Sequence, residues 1–569
     1  MHRSCGQGNY PTAGLLVGMM VVSGCFSANS TPNTKQSQPS NKQAVAVAPE
    51  FKEIGAESGF TFTYHNGEEA HHNAILESLG GGVGMLDYDR DGRPDLFLPG
   101  GGKFEAGPTI AGLASVLFRQ VDEGRFVEQS VLAGVTTAKQ YSHGVAIGDF
   151  DNDGFPDVLV TGYGMPTVWH NCGDGCFQDV TSPSGMIDRA WSSSAGWGDV
   201  NGDGALDVYF AHYADWSFDN HPRCGTETQP DVCPPRRFQG LDDALFVSDG
   251  AGLFVDGTAA AGLKPKGKGL GVVLIDLDDD TDLDIYVAND TDDNRLYVND
   301  GTGHFDETGM LSGTAVDDKA QPNGSMGVAV IDYNADGQVD LCVANYEDEA
   351  FALYQNNSGG LFSHVSSKTG IEAIGRLQVG FGTVTGDFDG DGDEDIVVSN
   401  GHVIHHPINA PLRQEPLILL NDGRSRFERA TIPPDQYFSR PHMGRGLAHG
   451  DLDGDGDLDL VFANSNEPSS ILMNQAENHG RWLVVNLVGT VSPRDGTGAK
   501  VVLETSHGKL IRHAFGGGSY LSASACSPHF GYAREMIPRG LKVYWPSGRV
   551  SELTLKADHL SRQRVLVVE

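Results

Sequence analysis

GVAIGDFDNDGFPDVLVTG, residues 144–162, reads as a strand, a carboxylate-rich turn and a second strand. The flanks GVAIG and VLVTG are short, apolar and bounded by glycine, which is strand chemistry. Between them Asp149, Asp151, Asp153 and Asp157 set side-chain oxygens at positions 1, 3, 5 and 9 of a nine-residue phrase. Oxygens so spaced converge on one hard cation, and Ca2+ takes six to eight of them at about 2.3–2.6 Å. Gly154 allows a bend that a Cβ would obstruct.

The phrase occurs seven times, with the consensus D-x-[DN]-x-D-G-x-x-D. The first copy supplies Asp87, Asp89, Asp91 and Asp95, and the third Asp199, Asn201, Asp203 and Asp207. The fourth supplies Asp276, Asp278, Asp280 and Asp284, and the fifth Asp332, Asn334, Asp336 and Asp340. The sixth supplies Asp387, Asp389, Asp391 and Asp395, and the seventh Asp451, Asp453, Asp455 and Asp459. An EF-hand needs a Glu at position 12 and a helix on each side. Position 12 here is apolar (Leu98, Val160, Phe210, Val287, Val343, Val398, Phe462) and the flanks are strand-like. Each copy is therefore expected to be a β-hairpin whose turn binds Ca2+, up to seven ions in all.

A second hairpin follows the later turns, as in LYVNDGTGHFDETG (296–309) and LYQNNSGGLFSHVSSKTGI (353–371). One repeat is thus four short strands. The turns start 62, 50, 77, 56, 55 and 64 residues apart, which predicts an all-β, seven-bladed β-propeller over residues 50–475; an open β-solenoid is the alternative. FKEIGAESGF (51–60) resembles a fourth strand, stands before the first turn and has no counterpart after the last. It is expected to complete the seventh blade and close the ring, removing free edges. From 479 to 569 the phrase disappears, and strands such as KVVLET and RVLVVE predict a separate small β-domain.

Residues 1–25 read as an export signal. Their apolar stretch, 13–22, is too short to span a bilayer, and it ends in Val22-Ser23-Gly24-Cys25. Small residues before a Cys predict a bacterial lipid anchor on Cys25; a plain secretion signal is the alternative. Residues 26–49, rich in Ser, Asn, Gln, Pro and Thr, read as a disordered tether. The formal charge is −37, and 26 carboxylates stand at the ligand positions of the seven turns. The acidity is thus mainly ion-binding chemistry, and it excludes nucleic acid, which needs a basic surface. In an exported protein, Cys172 with Cys176 and Cys224 with Cys233 are expected disulfides, with zinc as the alternative; Cys342 reads as a buried thiol.

The order of parts resembles the cartilage acidic protein family, with FG-GAP/VCBS repeats of the integrin-α type followed by an ASPIC/UnbV domain. The resemblance rests on GGGVGMLDYDRDGRPDLF at Gly80, the Cys224/Cys233 insertion, GLGVVLIDLDDDTDLDIYVAND at Gly269 and GRGLAHGDLDGDGDLDLVFAN at Gly444. In the last domain it rests on RDGTGAKV (494–501), GGGSYLSAS (516–524), HFGYA (529–533) and VYWPSGRV (543–550). Asn201, Asn334 and Thr281 depart from the family's pattern, and its FGLG reads FGYA here. Membership implies a secreted or surface-bound calcium-binding protein and brings no catalytic residue.

With all turns on one face, the other face is expected to hold an open channel mouth, ringed by Glu77, His143, Ser194, Lys268, Asn323, Gln378 and Arg445. The insertion at 214–242, with Trp216 as a stacking aromatic, and the loop at 401–416 would overhang it. This predicts a non-enzymatic binding or adhesion module for a glycan or an extracellular protein, attached to membrane only through its lipid. The alternative is a calcium-dependent polysaccharide lyase using Lys268 or Arg445 near His143. His402, His405 and His406 read as solvated surface histidines, and no GxSxG or HExxH phrase occurs.

Overall fold

The computed structural model describes residues 49–105, 109–475, 481–555 and 562–569, so the expected signal, Cys25 and nearly all of the tether lie outside it. The described residues form one compact unit. Residues 51–474 are built mainly of antiparallel four-stranded sheets, each turning about one acidic phrase, and one of these sheets gains a fifth strand from Gly516–Gly517. In the second sheet, Tyr141–Gly148, Asp157–Tyr163, Thr167–Asn171 and Phe177–Asp179 pair in chain order, and the turn at Asp149 joins the first two. The other six turns occupy the same place between the first and second strands of their sheets. Every first strand packs against the first strand of the next sheet, and Gly444–Gly450 packs against Gly84–Leu86. Phe51–Ile54 pairs with Ser470–Asn474, with Phe51 opposite Asn474, so the chain's beginning completes its last sheet as the sequence predicts.

Apolar residues on both faces of the inner strands fill the spaces between sheets. Val83, Leu96 and Phe118 of the first sheet pack on Leu452, Val461 and Ile471 of the last. Six of the seven second strands are buried along their whole length and the other at all but its last residue, which is why position 12 is apolar in every copy.

The ninth-position Asp does more than the sequence predicts. It is the first residue of the second strand, and all seven are fully buried. In Asp395, Oδ2 accepts the Phe388 amide at 3.1 Å, back in the turn, and Oδ1 accepts the Asn421 amide at 2.9 Å, on the third strand. Asp157, Asp284 and Asp459 repeat both bonds. The third-strand Asn then reaches the neighbouring sheet. Asn171, Asn299, Asn356, Asn421 and Asn474 donate from Nδ2 to the carbonyls of Tyr88, Val200, Leu277, Tyr333 and Phe388, at 2.8–2.9 Å. Gln120 closes the ring to Leu452 at 3.0 Å. One carboxylate thus fixes turn and third strand, and one amide clasps each such sheet to its predecessor.

The C-terminal strands form two sheets. In one, Arg481–Val488 pairs in parallel with Arg562–Val568 and antiparallel with His529–Tyr532. In the other, Lys500–Thr505 lies between Lys509–His513 and Pro538–Tyr544. Leu483, Val501, Phe530, Val543 and Trp545 fill the space between them. This part is not set apart. Residues 516–525 leave it and run through the ring's axis, meeting all seven sheets. The Gly518 amide donates to Val272 at 2.7 Å and that of Ser519 to Val328 at 2.6 Å. Ser519 Oγ donates to Leu447 and accepts the Thr383 amide. Val145 donates to Leu521, and Ala523 bonds both Val83 and Met85. Tyr520 is fully buried, edge-on to Phe381 with ring centroids 4.9 Å apart. Gly516 starts the passage, and a Cβ there would stand 1.7 Å from the Trp197 carbonyl oxygen.

Replacing Asn356 with Ala leaves the Leu277 and Val339 carbonyls without their donor. The expected loss, read by denaturant unfolding, is about 1–3 kcal/mol. The exposed Asn357→Ala is expected to stay within about 0.5 kcal/mol of wild type.

Candidate functional site

Each acidic turn is closed by its first Asp. Asp87 accepts the Asp91 and Gly92 amides at 3.0 and 2.9 Å, and Asp199, Asp332 and Asp387 accept the matching pairs. The backbone wraps around the carboxylate, and the side chains of positions 3 and 5 complete the loop. In the turns at Asp87, Asp149, Asp276 and Asp387, carboxylate oxygens from positions 1, 3 and 9 lie within 4.8 Å of one another. Burial first, then neighbouring carboxylates, pushes Asp149 up to about 8 and Asp332 up to about 7. Burial and Asp391 push Asp389 up to about 7. Asp149 Oδ1 and Asp278 Oδ1 are buried and accept no hydrogen bond from the protein. Crowded oxygens that resist ionisation and lack donors fit a hard divalent cation, which would neutralise them together.

The turns differ in ways that spacing does not reveal. Arg119, on the third strand of the first sheet, sets Nε 2.5 Å from Asp89 and NH2 3.0 Å from Asp91, while Arg93 also reaches Asp91. Two guanidinium groups already offset part of that turn's charge. The C-terminal part sits directly on the turns. Arg564 pairs with Asp451 at 2.7 Å, Lys500 with Asp279 at 3.0 Å and Arg512 with Glu394 at 3.3 Å. The Arg494 amide donates to Asn152 at 2.8 Å, and Asp495 accepts the Asp149 amide at 3.5 Å. A cavity of about 520 Å3 remains between the turns, the lower channel and this layer, lined by Arg494, Arg512, His449, His513 and Cys526 among others.

The open channel mouth expected on the opposite face is corrected. Glu77, His143, Ser194, Lys268, Asn323 and Arg445 are all buried, and Gln378 is half-buried. Residues 516–525 fill the axis, and inserted segments cover its end. Arg445 lies 4.2 Å over the Phe381 ring and donates to the carbonyls of Ser78, Gly401, Gly444 and His402. Lys268 pairs with Asp292 at 2.7 Å. Desolvation drives His143 down to about 3 and Glu77 up to about 8. Trp216 is not a free stacking face either. It packs among Tyr163, Trp191 and Phe218, and its Nε1 donates to His221 at 3.0 Å.

Two further expectations change. Cys224 and Cys233 are bonded, whereas Cys172 and Cys176 are free and exposed. Their sulfurs turn to different carbonyls, those of His170 and Leu132. His402 is not a solvated surface group but fully buried, accepting the Val403 amide at 3.0 Å, and burial lowers it to about 4. His405 and His406 donate backbone amides to Asp231 of the insertion, tying the two covering segments together.

A family model described as FG-GAP-like repeat matches residues 87–160, 149–210, 276–343 and 332–398. One described as ASPIC and UnbV matches 489–564. Cartilage acidic protein 1 of Mus musculus is 25% identical over 532 residues, 89% of this chain and 76% of that protein. Its Xenopus tropicalis counterpart is 26% identical over 477 residues, 72% of this chain and 71% of that one. Among solved structures, an Agrocybe aegerita lectin that recognises non-reducing terminal N-acetylglucosamine aligns at TM-score 0.40. Its identity is 15%, covering 70% of this chain and 92% of that one. YCF48 bound to D1 peptide aligns at TM-score 0.41 and 6% identity, covering 76% and 100%. Neither likeness assigns a ligand.

If the turns hold cations, excess chelator lowers the thermal midpoint, because a ligand bound only by the folded state stabilises it by mass action. Asp153→Ala, which deletes a carboxylate ligand, is expected to lower the midpoint in Ca2+ more than Asn201→Ala does. An identical melt with and without chelator contradicts this reading.

Proposed function

We propose that this chain, which carries FG-GAP-like repeats and an ASPIC and UnbV domain, is a seven-bladed β-propeller whose acidic turns bind Ca2+ and whose opposite face binds a glycan or an extracellular protein. The ions are structural: they sit where like charges crowd, under a domain that already covers that face. Export and lipid attachment at Cys25 are part of the proposal, in keeping with the Cys224–Cys233 disulfide. No helix among the described residues is long and apolar enough to cross a membrane.

The observation behind the choice of face is its disulfide-tied cover. The insertion crosses the end of the channel, its Asp231 holds the loop at 401–416, and Trp216 anchors it from below. A cover fastened at three points is a preorganised platform. Its outer side presents Ile408, 93% exposed, next to exposed His406. The recognition surface is therefore the outside of the cover. The lyase alternative requires Lys268 and Arg445 to leave their partners, and no contact favours it.

A glycan array and an extracellular-protein array, probed with purified full chain in Ca2+, test this. Ile408→Asp and His406→Ala are expected to weaken any hit about tenfold or more without moving the melt. Hits unaffected by both changes would place recognition elsewhere. Unsaturated sugar products from a hit would establish the lyase.

A further inference from the structure

We propose that the second turn is a mixed nitrogen–oxygen site for a divalent first-row ion of the Mn2+, Fe2+ or Zn2+ class, with His170 as the nitrogen ligand. This rests on reading the turns as cation sites and deepens it, since one turn then differs in kind from the rest.

His170 lies on Thr167–Asn171, one residue before the clasping Asn171. At that register the other sheets carry Arg119, Val247, Val298, Gln355, Leu420 and Met473. The first sheet shows what the register does, since Arg119 there reaches directly into its turn. His170 reaches into the second turn, its Nδ1 3.3 Å from Asp157 Oδ1 and 3.4 Å from Asp151 Oδ2. His170, Asp151 and Asp153 offer donor atoms within 4.8 Å of one another, as do Asp149, Asp151 and Asp157.

Two of these donor atoms make no hydrogen bond. Nδ1 is screened from solvent, yet it makes no aligned hydrogen bond to either carboxylate. Asp149 is 3% exposed, and its Oδ1 has no partner, while Oδ2 accepts the Gly154 amide at 2.8 Å. Ligand distances of about 2.0–2.2 Å put adjacent donors roughly 3.0–3.6 Å apart, which is the spacing of Nδ1 from its two carboxylates. An imidazole nitrogen is a poor ligand for Ca2+ and a good one for first-row ions. The same carboxylate frame that suits Ca2+ in an all-oxygen turn is thereby biased toward a different ion here. The rival role for His170 is an internal counter-charge, as Arg119 is in the first turn.

The test adds one equivalent of Mn2+ to full-length protein saturated with Ca2+ and reads the pulsed electron paramagnetic resonance spectrum. The expected result is 14N coupling from a single imidazole. His170→Val, the residue of the third and fourth sheets, is expected to abolish that coupling and to weaken Mn2+ binding about tenfold or more. Ca2+ binding by the other turns stays unchanged. Bound Mn2+ without nitrogen coupling, or coupling that persists in His170→Val, overturns the proposal and leaves His170 as a counter-charge. If His170→Val does not fold, the wild-type spectrum decides, with His170→Gln as the comparison. Calcium titration of the same sample separates the failures. No Ca2+ binding by any turn removes the broader reading, whereas Ca2+ binding with nitrogen-free Mn2+ removes this one alone.

Discussion

A buried aspartate at the start of each second strand holds the ring together. Each of the four followed above, from Asp157 to Asp459, has one oxygen bonded to an amide of its turn and the other to an amide of the third strand. The carboxylate therefore sets the angle between turn and sheet. A buried charge is costly unless it is well bonded. Here two amides answer each carboxylate, and the Asn on the third strand carries the order back to the preceding sheet. Change this residue and the turn, the third strand and the clasp between sheets lose their common anchor.

The same anchor creates the electrostatic problem that the turns answer. It draws three more oxygen side chains into a small, partly buried loop. Burial and mutual repulsion then raise the carboxylates at Asp149, Asp332 and Asp389 well above their ordinary range. The chain relieves this in more than one way. The first turn takes Arg119 and Arg93, the seventh takes Arg564 from the C-terminal layer, and the fourth takes Lys500. Where oxygens such as Asp149 Oδ1 and Asp278 Oδ1 have no donor, a cation would supply the remaining remedy. The C-terminal part thus serves the ring twice: its basic side chains meet the turns, and residues 516–525 bond the inner strands along the axis.

The repeat was legible in the sequence because it is local. Nine residues carry the strand–turn–strand pattern, and the orphan strand at Phe51 announced how the last sheet closes. What the sequence hid depends on contacts between distant residues. The Asn of LYVND and LYQNN reads as a turn residue, yet Asn299 and Asn356 bond carbonyls 99 and 79 positions away. Recurrence at the same place in five sheets was the available signal. GGGSYLSAS reads as a glycine-rich turn, and nothing local says that it threads the axis. Without that segment the polar residues from Glu77 to Arg445 line an open channel, and with it they are core. Cys172 and Cys176 have a spacing that suits a bridge, but the direction of each sulfur is set by the fold.

Hydrogen exchange by mass spectrometry on the full chain, in Ca2+ and after chelation, tests most directly whether cations hold the turns. If they do, chelation raises exchange first at amides bonded to turn carboxylates, such as Gly92, Gly154 and Gly392. It then raises exchange at Asn171 and Asn421, and along 516–525, while the interior of the C-terminal sheets, around Val501, keeps its protection. Equal exchange in both conditions at all of these amides would contradict it, leaving the acidic turns as hydrogen-bonded bends that need no ion.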